Sequence, residues 1–207
     1  TKIWEYLFSD EDQILELRGL APTGSPPALQ LFRSADYENL EDFKEAFEKK
    51  ALALNHQGYN VYTPLNPINF DFKGRAVTDS DISHRRWIMI DIDRTNARKE
   101  PASDAEVELA KSLAQEITRY LEEKHLSKPI RLMSGNGVHL YYRLADLENN
   151  TSSKALLKGT LINLANRFNT REVSIDTAVF NASRITKIPG TIARKGVESE
   201  SRPYRMA

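Results

Sequence analysis

The sequence contains no cysteine, which excludes disulfide bonds, thiolate metal sites and cysteine nucleophiles. It has no excess charge, because 29 Lys and Arg residues balance 29 Asp and Glu residues, so any nucleic-acid site must be a local patch. No apolar run approaches the roughly 18 residues of a membrane helix, and we expect no membrane partner and a cytoplasmic location. What is present, 40% hydrophobic and 28% charged residues in a chain of 207, is typical of a globular domain with a sizeable core.

The segment from Trp87 to Asp93 is an apolar run that ends in two aspartates separated by one isoleucine. Alternate side chains of a strand share a face, so Asp91 and Asp93 point one way while the isoleucines point into a core. Two carboxylates at the end of a buried strand are costly to desolvate unless they are paired or bound to a metal. Mg²⁺ prefers such oxygens on a rigid frame. The segment therefore favours a hard-cation site, with a solvated strand end as the alternative.

From this strand onward, the hydrophobic pattern predicts the order β-α-β-β-α-β. A capping box from Ser103 to Glu106 opens the first helix, and Ser152 or Ser153 opens the second. The strands are predicted at residues 87–93, 129–133, 138–144 and 172–180. This order is the topology of the RNA-recognition motif, an antiparallel four-stranded sheet with two helices on one face.

The preceding residues predict a smaller module. We expect a short helix at 9–19, a strand at 29–33, an amphipathic helix at 39–55, a strand at 60–65 and a polar loop at 66–86. The fold class is therefore α+β, with an N-terminal α/β subdomain (residues 1–84) packed on a catalytic subdomain like the RNA-recognition motif (residues 85–207). The C-terminal residues show no stop signal, and we expect the chain to be a piece of a longer protein.

Three acidic residues are expected to converge on the exposed face of the predicted sheet. Asp176 follows Val173 and Ile175 in alternation, so it faces away from the core that they enter. With Asp91 and Asp93 it completes a set of three carboxylates, which can hold two divalent ions about 4 Å apart.

A glycine turn lies between the second and third strands of this sheet. Gly135, Asn136 and Gly137 are consistent with a tight hairpin and equally with a cradle of backbone N–H groups for a phosphate. Ser134 before the turn and His139 after it can both donate hydrogen bonds to phosphate oxygens. His139 alternates with apolar neighbours, which places it on the same face as the aspartates.

After the third acid, four basic residues fall within one stretch of a dozen positions: Arg184, Lys187, Arg194 and Lys195. A charge cluster of this kind is usually a solvated loop. Next to an acidic metal site, however, it is suited to neutralise a triphosphate and its leaving pyrophosphate.

Together these motifs resemble the archaeo-eukaryotic primase superfamily, in particular the primase-polymerase domains of phage, plasmid and mobile-element replication proteins. The resemblance covers about residues 60 to 205 and rests on Asp-x-Asp, then Ser-Gly-x-Gly-x-His, then an apolar residue followed by Asp. It implies that Asp91, Asp93 and Asp176 are catalytic ligands of two Mg²⁺ or Mn²⁺ ions. It implies nucleotide binding by the residues of the glycine turn, by His139 and by the basic residues that follow the third motif, namely Ser134, Gly135, Asn136, Gly137, His139, Arg184, Lys187 and Lys195.

The activity implied is that of a primase and DNA-directed polymerase, which transfers nucleotides from NTP or dNTP substrates to a primer on single-stranded DNA in bacterial, phage or plasmid replication. A replicative helicase, as a domain or a separate protein, is the implied partner. For the template we expect contacts from Arg85, Arg86 and Arg94, and base stacking on Tyr62, Phe70 or Phe72.

Two other classes fit parts of the pattern. A rolling-circle initiator or relaxase shares the sheet topology and uses a tyrosine nucleophile, for which Tyr141 and Tyr142 are candidates. Such enzymes hold their metal with a His-apolar-His pair, and none of the four histidines here forms one. A non-catalytic module that binds single-stranded nucleic acid normally carries aromatic residues on its central strands, where this chain carries acids and a histidine.

Overall fold

The computed structural model describes residue 7 and residues 12–21, 24–95 and 99–207. The described residues include ten strands and three α-helices, together with two single-turn 3₁₀ helices at Ser34–Asp36 and Asp79–Asp81. The strands are β1 (Ile14–Leu20), β2 (Ala28–Arg33), β3 (Asn60–Pro64), β4 (His84–Arg94), β5 (Ile130–Met133), β6 (Val138–Glu148), β7 (Val173–Ile175), β8 (Ile185–Lys187), β9 (Ile192–Ala193) and β10 (Arg205–Met206). The helices are α1 (Leu40–His56), α2 (Asp104–Glu123) and α3 (Thr151–Phe168).

The C-terminal half contains the predicted β-α-β-β-α-β unit. Its sheet has the order β5-β6-β4-β7, and all three pairings are antiparallel. The topology expected from the sequence is thereby confirmed, as is the α+β fold class. β4 and β6 lie side by side in the centre, and their register sets Asp91 opposite His139.

The two helices of this unit cover one face of the sheet and make β4 a rigid frame. In α2 the Ser103 side chain and Glu106 form the predicted reciprocal cap, and the buried positions follow a 3.6-residue period: Val107, Ala110, Leu113, Ala114, Ile117 and Leu121. Beneath them Ile90 and Ile92 are 1% and 0% exposed. Each such side chain contributes about 1.5–3 kcal/mol by leaving water, so the backbone of Asp91 and Asp93 is fixed by the core behind it.

The N-terminal sheet has the order β2-β1-β3-β8 and corrects one prediction. Residues 14–19 lie in strand β1, and the helix predicted over 9–19 is therefore wrong there; residues 9–11 lie outside the described part of the chain. Leu15 and Leu17 pack with α1 in one cluster, whereas Glu16 is 0% exposed on the alternate position. Glu16 is satisfied by the Val77 N–H at 2.6 Å and by an ion pair with Arg18 at 2.6 Å.

Strand β8 joins the two halves of the molecule. It pairs with β3, with Lys187 opposite Tyr62, and so belongs to the first sheet although the predicted division assigns these residues to the second subdomain. The division at 84/85 itself stays a prediction. Because the chain enters the first sheet as β8 after Asp176, the basic residues of this segment lie in one cavity with the aspartates of β4.

Several element boundaries also differ from the prediction. β4 begins at His84, inside the expected loop, and β6 extends to Glu148. The last strand of the unit, predicted over 172–180, is only Val173–Ile175, so Asp176 lies just beyond it. No helix in the described part of the chain combines the length and apolar character needed to cross a lipid bilayer.

Candidate active site

A cavity of about 480 Å³ opens between the two sheets. It brings together most of the predicted site residues from distant parts of the chain. Its lining comprises Leu20, Asn60, Tyr62, Met89, Asp91, Asp93, Ser134, Asn136, His139, Arg184, Ile185, Lys187, Ala193, Arg194 and Lys195. The acids come from β4 of the second sheet, whereas the cations come from β8 and the residues that flank it.

The acidic wall consists of Asp91 and Asp93, whose side chains are 25% and 33% exposed. The Asp91 Oδ1 atom lies 3.4 Å from Nε2 of His139. In Asp93, Oδ1 accepts the N–H of Arg94 at 2.8 Å, and Oδ2 lies 3.7 Å from the Lys195 ammonium. Both carboxylates are thus partly desolvated and only loosely paired, which leaves oxygen atoms for another cation.

The two carboxyl groups differ in their electrostatics. Burial acts to raise the pKa of Asp91, but the combined influence of His139, Arg184 and Lys195 outweighs it, and the net pKa is below the ordinary value. Burial raises the pKa of Asp93, and Lys195 offsets this only in part. A desolvated carboxylate short of positive charge fits a divalent cation, because hard cations prefer oxygen ligands. These two residues therefore suit an Mg²⁺ or Mn²⁺ ion.

Asp176 lies beside them along the backbone, where its N–H donates to the carbonyl of Asp91 at 2.9 Å. Its carboxylate, however, is exposed and accepts the N–H of Ala178 at 2.8 Å. Within the described residues, no three His, Asp or Glu side chains converge closely enough to hold a metal ion. The role of Asp176 as a third ligand stays a prediction.

The glycine turn is shaped by close packing. Ser134 N–H donates to the carbonyl of Gly137 at 3.0 Å, and Gly137 N–H donates to the Ser134 hydroxyl at 3.1 Å. A Cβ atom on Gly137 would lie 2.1 Å from the Ile92 carbonyl oxygen, and one on Gly135, where φ is +90°, would lie 2.3 Å from the Ala193 side chain. The glycines are therefore required by the tight turn, and phosphate binding by its backbone stays a prediction.

On the basic wall, Lys187 is held in an unusual environment. Its ammonium donates to Asn60 Oδ1 at 2.6 Å and lies 4.6 Å from the centre of the Tyr62 ring. Burial, followed by repulsion from Arg194, lowers the pKa of Lys187 to about 7. The same Asn60 oxygen accepts the backbone N–H of Arg194 at 2.8 Å, so one amide holds the Lys187 ammonium and the backbone at Arg194.

Two guanidinium groups line the cavity, those of Arg184 and Arg194. Each also has one buried nitrogen that makes no hydrogen bond with the described residues, Nε of Arg184 and a terminal nitrogen of Arg194. A buried donor left unpaired costs about 1–3 kcal/mol. Positive groups of this kind in a cavity wall are suited to an anionic ligand.

The sequence pattern singled out most of this lining but missed Asn60. Its only sequence signal is its place at the start of a strand, and its contacts with residues 187 and 194 are more than 120 positions away. Tyr62, proposed for base stacking, does line the cavity, and burial together with the charge of Asp91 raises its pKa to about 12. Phe72 is buried in a separate cluster, which excludes it from stacking, and Phe70 is exposed outside the cavity lining.

The predicted DNA contacts need correction. Arg85 and Arg94 are 2% and 5% exposed. Arg85 donates to the carbonyl of Phe180 at 2.7 Å, and Arg94 is paired with Glu106 at 2.9 Å. Arg86 is 13% exposed and lies 3.4 Å from an Asp146 carboxylate oxygen. The first two guanidiniums are structural, and none of the three lines the cavity.

Comparison with known proteins finds solved structures that have the same fold. No family model matches the sequence, and no curated protein matches it. Among solved structures, the polymerase domain of ligase D from Mycobacterium tuberculosis, in complex with DNA, aligns over 98% of this chain and 77% of its own, with a TM-score of 0.54 and 14% identity. Primase RepB′ aligns over 99% of this chain, with a TM-score of 0.53 and 12% identity, and the chain spans only 54% of its length. This chain thus shares its fold with a polymerase domain and with a primase.

Proposed function

We propose that this chain is a template-dependent nucleotidyltransferase that makes and extends primers on single-stranded DNA. The observation that carries the proposal is the cavity itself, in which two partly desolvated carboxylates on β4 share the lining with four cations from β8 and from the segments before β8 and after β9. Such a division of charge suits a metal-bound triphosphate, whose ion needs acids and whose phosphates need bases. The fold shared with a DNA-bound polymerase domain and a primase supports the same choice.

Asp91 and Asp93 would hold the divalent ions. When bound, such ions lower the pKa of a 3′-hydroxyl and neutralise the triphosphate and the departing pyrophosphate. The third ligand predicted from the sequence, Asp176, would need its carboxylate to leave the Ala178 N–H and turn toward the carboxylates of Asp91 and Asp93.

The protein groups of the cavity would bind and orient the substrate. Arg184 and Arg194 line the cavity, where their guanidinium groups can meet phosphate oxygens, and Lys187 and Lys195 add positive charge beside them. Ser134 and His139 also line the cavity, where they can donate hydrogen bonds to the same phosphates. Fixed donors that meet developing negative charge without reorganising are the main protein contribution to such reactions.

A primer-synthesis assay tests this proposal. On single-stranded DNA with NTPs or dNTPs and Mg²⁺ or Mn²⁺, we expect products that vanish in the Asp91→Ala, Asp93→Ala double variant. The matched control is Asp36→Asn, Asp71→Asn, which changes two exposed acids outside the cavity and should retain full activity. If the double alanine variant still made primers, the proposed mechanism would be wrong.

The nuclease alternative is disfavoured by the position of its candidate nucleophiles. Tyr141 and Tyr142 are 0% and 3% exposed, and neither lines the cavity. The Tyr141 hydroxyl is also engaged by His139 at 2.9 Å. A tyrosine nuclease would form a covalent protein-DNA adduct on a denaturing gel, and we expect none.

A non-catalytic module would bind single-stranded DNA whether or not a metal ion is present, and this property distinguishes it from the proposed enzyme. Filter binding of single-stranded DNA with a nucleoside triphosphate, with and without EDTA, separates the two cases. We expect the chelator to weaken formation of the complex, because the two carboxylates repel phosphates when no cation lies between them. Binding unchanged by EDTA, together with no synthesis, would favour the module.

A further inference from the structure

Two lysines of α3 lie over an aromatic ring in the segment between β7 and β8. The ammonium of Lys158 lies 5.4 Å from the centre of the Phe180 ring, and that of Lys154 lies 5.8 Å from it. The ring is partly buried and packs against the core of the second sheet, whereas both lysines are exposed. An aromatic face attracts cations, so Phe180 holds two positive charges together at the surface. We call these three residues the α3 patch.

The backbone on both sides of the α3 patch is fixed. The carbonyl of Phe180 accepts a hydrogen bond from the Arg85 guanidinium at 2.7 Å, and Arg85 is itself buried. At the start of α3, Asn150 Oδ1 accepts the N–H of Ser153 at 2.9 Å and caps the helix. A ligand of the α3 patch would therefore meet a surface that is already formed, which lowers the cost of binding.

The charge of α3 differs from that of the other helices. Its residues include three bases and no acid, whereas α2 carries six acids and two bases, in a chain whose net charge is zero. The helix dipole favours acids in the first turn, and both α1 and α2 have them there. In α3 the fourth residue is Lys154 instead. Helix stability therefore does not account for the positive charge at this end of α3.

The acid whose charge acts on Lys154 is Asp79. Its Oδ1 atom already accepts the N–H and the hydroxyl of Ser183, at 2.9 and 2.7 Å. Among the described residues, neither ammonium of the α3 patch forms an ion pair with a carboxylate. The two lysines can therefore meet an anion from solution without breaking an ion pair.

The α3 patch lies close to the cavity along the chain. Phe180 precedes the cavity residue Arg184 by four positions, and the Arg184 N–H donates to the carbonyl of Asn181 at 3.2 Å. Because consecutive Cα atoms are 3.8 Å apart, the Cα atoms of Phe180 and Arg184 are separated by at most about 15 Å. A polyanion that enters the cavity can continue over the α3 patch.

We propose that the α3 patch binds the backbone of single-stranded DNA beside the cavity, with the ammonium groups of Lys154 and Lys158 on its phosphates. That this strand is the template rests on the proposed function. The α3 patch supplies the contacts that the buried Arg85 and Arg94 cannot make. A lysine meets phosphate as a point charge and reads no base, so the binding is independent of sequence.

The salt dependence of DNA binding tests the assignment. Fluorescence anisotropy of labelled oligothymidylate, with the intact 207-residue chain and Mg²⁺, gives the affinity over a range of salt concentrations. Each phosphate neutralised on a single strand contributes about 0.7 to the slope of log K against log salt. Lys154→Gln, Lys158→Gln should therefore lower the slope by about 1.4 and weaken binding roughly 25-fold at about 0.1 M salt. A slope and an affinity equal to those of the wild type would overturn the proposal.

Two further variants test the cause. Lys49→Gln, Lys50→Gln removes the same charge from exposed positions of α1 and should alter the slope far less. An equal effect of the two pairs would show that net charge alone matters and would reject the α3 patch. Phe180→Leu keeps both charges and the apolar packing, so it should preserve the slope and weaken binding by about two- to fivefold. An unchanged affinity would contradict the role of the ring.

The binding assay contains no nucleotide, so its result does not depend on catalysis. A chain that makes no primers, but whose DNA affinity falls in the double variant, keeps the α3 patch and rejects nucleotidyl transfer. Primer synthesis by a double variant with wild-type DNA affinity keeps the function and rejects the α3 patch. Vesicles of anionic lipid serve as a second probe, and loss of vesicle binding without loss of DNA binding would overturn the proposal in favour of a membrane surface.

Discussion

Lys187 shows how strongly the cavity controls the charge of a single residue. Its ammonium is buried beside Asn60 and the Tyr62 ring, and burial with repulsion from Arg194 lowers its pKa to about 7. The side chain is therefore about half protonated at neutral pH. A polyphosphate that binds nearby would favour the ammonium form, so binding and proton uptake are linked.

We predict that Lys187→Met removes a pH-dependent part of triphosphate binding. The ammonium dominates below pH 7 and is lost above it, so the wild type should bind inorganic triphosphate roughly tenfold more tightly than the variant at pH 6 and nearly equally at pH 8.5. Isothermal titration calorimetry at both values gives the ratio. The control is Lys50→Met, at an exposed position of α1, and an equal advantage at both pH values would contradict the assignment.

The same variant should be more stable to unfolding. The pKa of Lys187 is lower in the folded chain than in the unfolded chain, so the unfolded state binds the extra proton between about pH 7 and the ordinary value of 10.5. The cost of burial is therefore full below about pH 7, declines between pH 7 and 10.5, and is gone above 10.5. We expect Lys187→Met to gain roughly 1–3 kcal/mol in the free energy of unfolding at pH 6, measured by urea titration. A less stable variant would show that the lysine stabilises the fold.

At the scale of elements, the junction of β4 and β6 is the tightest part of the site. The backbone at Gly137 approaches Ile92 so closely that a Cβ would lie 2.1 Å from its carbonyl oxygen and 3.2 Å from the Asp93 Cα. Gly137→Ala should therefore push the turn away from β4, cost about 1–3 kcal/mol of stability and reduce primer synthesis by displacing Asp93.

The comparison for this variant is Gly159→Ala in α3, where a new Cβ meets nothing within 4 Å. Alanine in a helix interior is favoured over glycine by up to about 1 kcal/mol, so this variant should gain stability and keep full activity. Denaturant titration of both proteins, with the activity assay on each, gives the result. Equal stability for the two variants would show that the turn tolerates a side chain.

The elements also show which local patterns are reliable. α2 was predicted well because its capping box and its apolar period agree. β1 was predicted as a helix because Ile14, Leu15 and Leu17 fit both periods over so short a run. Glu16 is fully buried in the strand, and its carboxylate accepts the N–H of Val77, which is 61 positions away. The sequence around Glu16 does not reveal that contact.

At the scale of the whole molecule, a charged cluster joins the C-terminal segment to the site. The Glu106 carboxylate accepts from Arg202 at 2.6 Å and from Arg94 at 2.9 Å, and Ser103 N–H donates to it at 2.7 Å. The hydrogen bond from Arg202 is the largest of the causes that lower the pKa of Glu106 to about 2. The cluster ties residue 202 to the start of α2 and to the end of β4, directly after Asp93.

We predict that Glu106→Gln destabilises the protein by about 1–2 kcal/mol at pH 7. The figure is reduced from the full pKa shift because Glu106 is partly exposed and water screens its charge. A carboxyl with a lowered folded pKa stabilises the fold above its unfolded value of 4.5, and this contribution is lost as the pH falls toward 2. Unfolding titrations at pH 7 and pH 3 should show the difference shrinking, whereas Glu108→Gln, on the exposed face of α2, should cost little at either pH.

The part of the site that short motifs define was predictable from the sequence. The part formed by the pairing of β8 with the distant strand β3 was not. The Asp-x-Asp strand, the glycine turn and His139 lie in one local unit, so their pattern predicts their meeting. The pairing of β8 with β3 is a contact between strands more than 120 positions apart, and it brings the Lys187 ammonium within hydrogen-bond distance of Asn60. Long-range pairing depends on the complete fold, which periodicity in one segment does not contain.

Nucleotidyl transfer by this chain is tested most directly with a nucleotide that is labelled at one of two phosphates. Nucleoside triphosphates labelled at the α- or the γ-phosphate are supplied to the chain with single-stranded DNA and Mg²⁺ or Mn²⁺. Nucleotidyl transfer predicts that the α-label enters an extended product while the γ-label leaves as pyrophosphate, and that both events stop in the Asp91→Ala, Asp93→Ala variant. Release of the γ-label as inorganic phosphate without incorporation of the α-label, or incorporation that survives the double substitution, would contradict the central claim.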